Sequence, residues 1–389
     1  MRVLMFTQRA PYLPTHDRTR LVPACLLSHL ERHAVAVVTG DDRGETAAQR
    51  AWLSTVAGRV TRVPAGRWRH PVTGGPGGLG AFRVAARRAV AEFCPDVVHL
   101  EGAWLAPLAR EVPAAVVIGV RESGVRRARD ARRRARTTRA WIRAQIDERI
   151  EGEWERRWLP RANACVVASE EDRQTLAERV PLARIEVIPP GVDAQRYSFR
   201  RAAEPARMVF AGNMTWPAHL DAADRLATRV LPRVRRALPQ AELLLIGAGP
   251  LAALRALAAV PGVRVAGAVA DLRPSLWSAA VALVPAQAAP GIDAAILEAM
   301  AVGTPVVAAR ACLTGLTHVL PGHHVAVAES DAELAATALL VLREPVVAAT
   351  LAENARQLVE RRHTWAATAR LYEALWARAA DTTPTAVAA

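Results

Sequence analysis

The chain reads as two doubly wound α/β domains in tandem, and three observations predict this: its length, the character of its apolar runs, and what separates them. A length of 389 residues exceeds one ordinary core and suits two domains of roughly 150–200 residues each. The apolar runs are short and continuous rather than alternating, which marks strands buried on both faces. Amphipathic stretches lie between them, so successive strands are joined by helical crossovers, and such crossovers build parallel sheets.

The strands of the first half are "RVLMF", "AVAVVT", "DVVHL", "AAVVIGV", "ACVVAS" and "IEVIP". Those of the second are "MVFAG", "AELLLIGAG", "VRVAGAV", "VALVPA" and "TPVVAA". Between the sets, "RRAAEPAR" is polar, contains proline and has no periodicity. It places a linker at 194–207 between domains at 1–193 and 208–362. Further on, Trp365, Ala369, Tyr372 and Trp376 recur on one helical face. A helix over 363–380 is therefore expected to cross back to the first domain, with a frayed tail at 381–389.

Composition narrows the class. Hydrophobic residues make up 51% of the chain and charged ones 23%, so most of it can bury itself. No apolar stretch reaches the roughly 18 residues that span a bilayer, and the start is interrupted too early for a signal peptide. Cys25, Cys94, Cys165 and Cys312 are far apart, without a CxxC pair, which suggests neither a zinc site nor a disulfide framework. A cytoplasmic setting is expected, with a peripheral position at the inner membrane face as its variant.

The net charge of +14 invites an anionic partner. All 51 basic residues are arginine, however, a skew that codon bias toward GC explains, so basicity alone is weak evidence. It is concentrated in "RESGVRRARDARRRARTTRAWIRAQIDERIEGEWERRW", where Trp141, Ile142, Ile146, Ile150, Trp154 and Trp158 recur at three and four. The simplest reading is a solvated helix packed on its sheet; peripheral membrane contact or an anionic acceptor is the alternative. Nucleic acid is excluded as a partner, since no aromatic-interleaved basic platform accompanies the charge.

In doubly wound sheets ligands bind beyond the carboxyl ends of the strands. After the first strand, "TQRAPYLPTHDRTR" is a proline-rich loop without the G-x-G-x-x-G of a dinucleotide site. After a later strand, "HLEGAW" puts His99 and Glu101 at a sheet end. In the second half, Gly212 ends a strand and is followed by Asn213 and Trp216, while Gly247 and Gly249 form a small-residue turn.

The ordered set "VIPPGVD", "VFAGNM", "LLIGAGP", "VAGAVADLRPSLWSA" and "PGIDAAILEAMAVGTPVVA" resembles the retaining glycosyltransferases of family GT4. "RAPYLPTHDRTR" is similar to the first loop of a sugar-transferase branch of that family. The resemblance implies a GT-B fold, two facing Rossmann-like domains with an interdomain cleft. It implies a nucleoside-diphosphate sugar, of UDP or GDP type, as co-substrate, with no further cofactor and no metal. It also implies a small-molecule (natural product), lipid-linked or cell-envelope acceptor.

By the same resemblance Glu298 accepts hydrogen bonds from the ribose hydroxyls, Leu297 packs beside the ribose, and Val265 and Leu272 bracket the base. Gly291, Ile292 and Asp293 face the diphosphate at a helix start, and Gly212, Asn213, Trp216 and Gly247 line the donor side. Arg9, His16, Asp17 and Arg18 face the acceptor, and His99 and Glu101 join Glu298 as catalytic candidates.

Departures from the family pattern are specific. The signature's first glutamate, eight positions before Glu298, is replaced by Pro290. The Arg and Lys that clamp the diphosphate are missing after "VFAGNM", which leaves Arg273, Arg310, Arg9 and Arg18 as substitutes. Two rivals share the fold: a sugar-nucleotide epimerase or hydrolase, and a degraded protein binding membrane or an acidic partner through the arginine-rich helix.

Overall fold

The computed structural model of the chain describes residues 1–15, 17–41, 44–64, 79–135, 137–181, 183–200, 206–285 and 292–382. They form two compact units, Met1–Pro189 with Thr368–Ala389, and Pro190–Ala367.

The first unit holds seven parallel strands: β1 (Arg2–Thr7), β2 (Ala34–Gly40), β3 (Arg59–Val63), β4 (Val97–Glu101), β5 (Ala115–Arg121), β6 (Ala164–Val167) and β7 (Ile185–Val187). Their order across the sheet is β3-β2-β1-β4-β5-β6-β7. Alternate residues of β1 enter different cores. Leu4 and Phe6 join one cluster with Phe82 and Leu100; Val3 and Met5 join another with Leu26, Tyr372 and Trp376. This is the two-sided burial that the continuous apolar runs predict.

The second unit adds six parallel strands: β8 (Arg207–Ala211), β9 (Glu242–Ile246), β10 (Val263–Gly267), β11 (Val281–Val284), β12 (Val306–Ala308) and β13 (Ala326–Val327). Their order is β10-β9-β8-β11-β12-β13. Two strands escape the sequence reading, β3 and β13. β3 is an edge strand that is largely half-exposed and carries two arginines; β13 has two residues.

Residues 194–200, read from sequence as linker, belong to the second unit. Arg356 donates to the carbonyls of Ala194, Tyr197 and Ala301 at 2.9, 2.6 and 2.6 Å. Trp277 Nε1 donates to Ser198 O at 2.9 Å. Polarity misleads here because the backbone of this segment, not its side chains, supplies the attachment. The last helix, Trp365–Asp381, contains the division between the units, and from Thr368 onward it belongs to the first.

Candidate functional site

Strand order reverses in the second sheet between β8 and β11, which pair through Met208 with Val281 and Val209 with Ala282. Such a switch point opens a crevice at the strand ends. Gly212, Gly247 and Gly267 stand at the ends of the neighbouring strands β8, β9 and β10, on one side of it. Gly212 N donates to Ile246 O at 2.9 Å, and Gly247 N donates to Gly267 O at 2.7 Å. A Cβ on Gly247, whose φ is +139°, would stand 1.8 Å from the Gly212 carbonyl oxygen, so only glycine lets the two loops meet.

Asn213 begins the next turn. Its Oδ1 accepts from Thr215 N at 3.1 Å and from Thr215 Oγ1 at 2.7 Å, an Asx turn that leads into the helix Pro217–Arg225. Trp216 is that helix's N-cap and is exposed, with its ring stacked on His219 at 5.6 Å. A flat aromatic face thus stands beside the glycine loops. Val265 and Leu272 are half-buried against the core of this unit.

The helix following β11 spans Ile292–Val302. Leu297, expected beside a ribose, is fully buried in the core. Glu298 is its half-buried neighbour. Tyr197 donates its hydroxyl to Glu298 Oε1 at 3.0 Å. Burial and the adjacent Glu298 charge push the phenol well above its ordinary range, so it stays a donor. Arg273, expected as a diphosphate cation, is turned to Asp271 at 2.7 Å and to Arg196 O at 3.0 Å. Arg310, at the turn beyond β12, has a 3.4 Å pair with Glu329.

In the first sheet the order reverses between β1 and β4, and Glu101 lies in register with Thr7 and with Gly119. His99 Nε2 and Glu101 Oε2 are 3.0 Å apart, and Arg121 Nε lies 2.8 Å from Glu101 Oε1. His99 is 0% exposed and Glu101 1%. Tyr372 and Trp376 close over the imidazole, each ring centre 5.5 Å away. Burial pushes the Glu101 carboxyl up, but Arg121 and His99 outweigh it and hold the group below its ordinary value.

Of these catalytic candidates, the histidine is covered by the last helix and the glutamate is engaged by its two partners. Asp17 is the N-cap of the helix Arg18–Leu27, accepting from Thr19 N at 2.9 Å, and Arg9 is tied to it at 2.8 Å. His16, Gly291 and Pro290 lie outside the described residues. Arg18, Ile292 and Asp293 are placed as helical backbone only.

Comparison with known proteins completes the picture. The sequence-family model described as "Glycosyltransferase Family 4" matches residues 26–196, and "Glycosyl transferases group 1" matches residues 205–344. The chain belongs to the GT-B glycosyltransferases.

Among solved structures, this glycosyltransferase resembles a sucrose-phosphate synthase from Thermosynechococcus elongatus at a TM-score of 0.70 and 18% identity, covering 97% of this chain and 100% of that one. It resembles Anabaena HepE in complex with UDP and glucose at 0.68 and 16%, covering 97% and 100%. A variant of S. aureus TarM, solved with Fondaparinux, alpha-GlcNAc-glycerol and UDP, matches at 0.66 and 8%, covering 96% and 99%. A search among curated proteins returned no significant match.

The residues of this glycosyltransferase that sequence reasoning missed are Tyr197, Arg356 and Arg121. Tyr197 lies 101 positions before the glutamate it binds, and no local pattern joins the two. Arg121 has a positive φ, +64°, where its strand shifts register against β6; nothing in "VIGVRES" signals that bend.

Proposed function

We propose that the protein is a retaining glycosyltransferase moving a sugar from a UDP- or GDP-type donor to a hydroxyl of a small-molecule or lipid-linked acceptor. One observation carries this reading: Glu298 presents a half-buried carboxylate, steadied by Tyr197, on the helix that follows β11 at the switch point of the second sheet. A carboxylate so placed accepts hydrogen bonds from both ribose hydroxyls, and bonds to a charged acceptor are each worth roughly 1.5–3 kcal/mol. Two HepE structures in complex with UDP and with UDP-glucose favour the same class of donor.

In this reading the sugar's C1–O bond to the diphosphate breaks while a bond from C1 to the acceptor oxygen forms on the same face. The departing phosphate oxygen takes the acceptor proton. Little protein acid–base chemistry is needed for this step. Catalysis then rests on positioning and on stabilising the leaving group.

The leaving diphosphate needs cations. Arg310 is the substitute whose release costs least, because its pair with Glu329 is exposed on both sides and such pairs are worth about 0–1 kcal/mol. It follows directly on Ala309, whose amide donates to Val284 O at 2.9 Å, so it sits at the strand-end edge where β11 stops.

The test is ligand-induced thermal shift across nucleoside diphosphates and their sugars, with Glu298→Ala beside the natural chain. The natural protein should be stabilised by one diphosphate above the rest, and the variant should lose on the order of a hundredfold in affinity for it. Equal binding and equal turnover by the variant would remove Glu298 from the site.

A further inference from the structure

Among the described residues no single helix is long and apolar enough to cross a membrane, yet one helix presents apolar side chains to water among unpaired charges. The helix Thr138–Trp158 buries Ala144, Gly152, Glu155 and Trp158. At 100° per residue, Ile142 and Ile146 fall on the opposite side. Their exposures are 47% and 52%. Thr138–Arg143 are all exposed.

Charge on this helix is sorted by side. Toward the neighbouring helix Gly124–Arg133, two acids are engaged: Arg127 pairs with Glu151 at 2.8 Å, and Glu148 holds Arg129 at 2.9 Å and Arg132 at 2.7 Å. On the outer side, Arg139, Arg143 and Arg149 flank the isoleucines and make no salt bridge among the described residues. The outer acid further along, Glu153, is paired with Arg156. Packing explains the inner set and leaves the outer arginines without an acidic partner among the described residues.

We propose that this outer face is a docking surface for an anionic lipid membrane. Ile142 and Ile146 would enter the headgroup boundary while Arg139, Arg143 and Arg149 meet lipid phosphates, the arrangement of an interfacial helix. Charge complementarity selects an anionic partner, and aliphatic side chains at the centre of the arginines select lipid over nucleic acid, which binds through stacking on flat rings. The inference is independent of the donor site, and either can fail alone.

The experiment is co-sedimentation of the full chain with vesicles of phosphatidylcholine alone or with about one-third phosphatidylglycerol. Binding to the anionic vesicles, weakened by salt, is expected. Replacing Arg139, Arg143 and Arg149 by Gln should weaken it on the order of a hundredfold, about fivefold for each charge removed. The pair Ile142→Ser and Ile146→Ser should weaken it at least tenfold. Both variants should keep the natural melting temperature to within a few degrees, since these side chains are exposed. Absence of binding by the natural chain overturns the proposal. So does undiminished binding by the isoleucine variant, or equal loss of vesicles to a single-stranded oligonucleotide competitor in both proteins, since either marks a general polyanion surface.

Discussion

At the scale of single residues, the Tyr197 hydroxyl is what gives Glu298 a defined direction. A carboxylate on a helix face has several rotamers, and one fixed hydrogen bond reduces that freedom before a ligand arrives. Tyr197 is fixed in turn, since Arg356 holds its carbonyl at 2.6 Å. The substitution Tyr197→Phe keeps the ring and removes the donor. It should weaken nucleoside-diphosphate binding about tenfold, as expected for one hydrogen bond to a charged group, while the melting temperature moves by only a few degrees. Isothermal titration reads the first and calorimetry the second. A variant that unfolds early would instead make Tyr197 a packing residue.

At the scale of elements, the helix Thr138–Trp158 has two unlike sides, and its inner side carries a titration. Glu155 is 1% exposed. It accepts from Ser123 Oγ at 2.9 Å and Val125 N at 3.4 Å, and its Oε2 has no hydrogen-bond partner among the described residues. Burial pushes the carboxyl up to about 7 from 4.5. The folded chain therefore holds this proton more tightly than the unfolded one. The associated stability is fully present below about pH 4.5 and is lost as pH rises through about 7, a difference of roughly 3 kcal/mol from this group. Glu155→Gln, neutral at every pH, should flatten that decline. Denaturant unfolding at pH 5 and pH 8 checks it, and an unchanged slope would assign the pH dependence elsewhere.

At the scale of the whole molecule, the first unit is discontinuous in sequence. Its core includes Tyr372, Leu375 and Trp376 from the last helix, packed with Val3, Met5 and Leu26 from the first strand and helix. Trp376 is fully buried, and removing such a side chain costs about 3–5 kcal/mol. Trp376→Ala should lower one calorimetric transition, that of the first unit, and leave the second unit's in place. A uniform shift of both would mean that the units unfold as one.

Much of the architecture is legible without coordinates. Runs such as "RVLMF" and "LLLI" cannot be exposed on either face, so they dictate parallel strands under helices, and the spacing of Trp365, Ala369, Tyr372 and Trp376 dictates a buried stripe. The small-residue turn at Gly247 and Gly249 is legible as well. Burial, by contrast, is a property of neighbours distant in sequence. Glu101 looks available at the end of β4 until Arg121 and His99 occupy it, and Leu297 and Glu298 stand side by side while only one of them faces the core. The sequence by itself determined all the strands but β3 and β13, their crossovers and the helix that bears Glu298, because these follow from local hydrophobic period. Tertiary structure alone decided which polar groups are already satisfied, because each partner is supplied by a different strand or loop, as Tyr197 is for Glu298 across 101 positions.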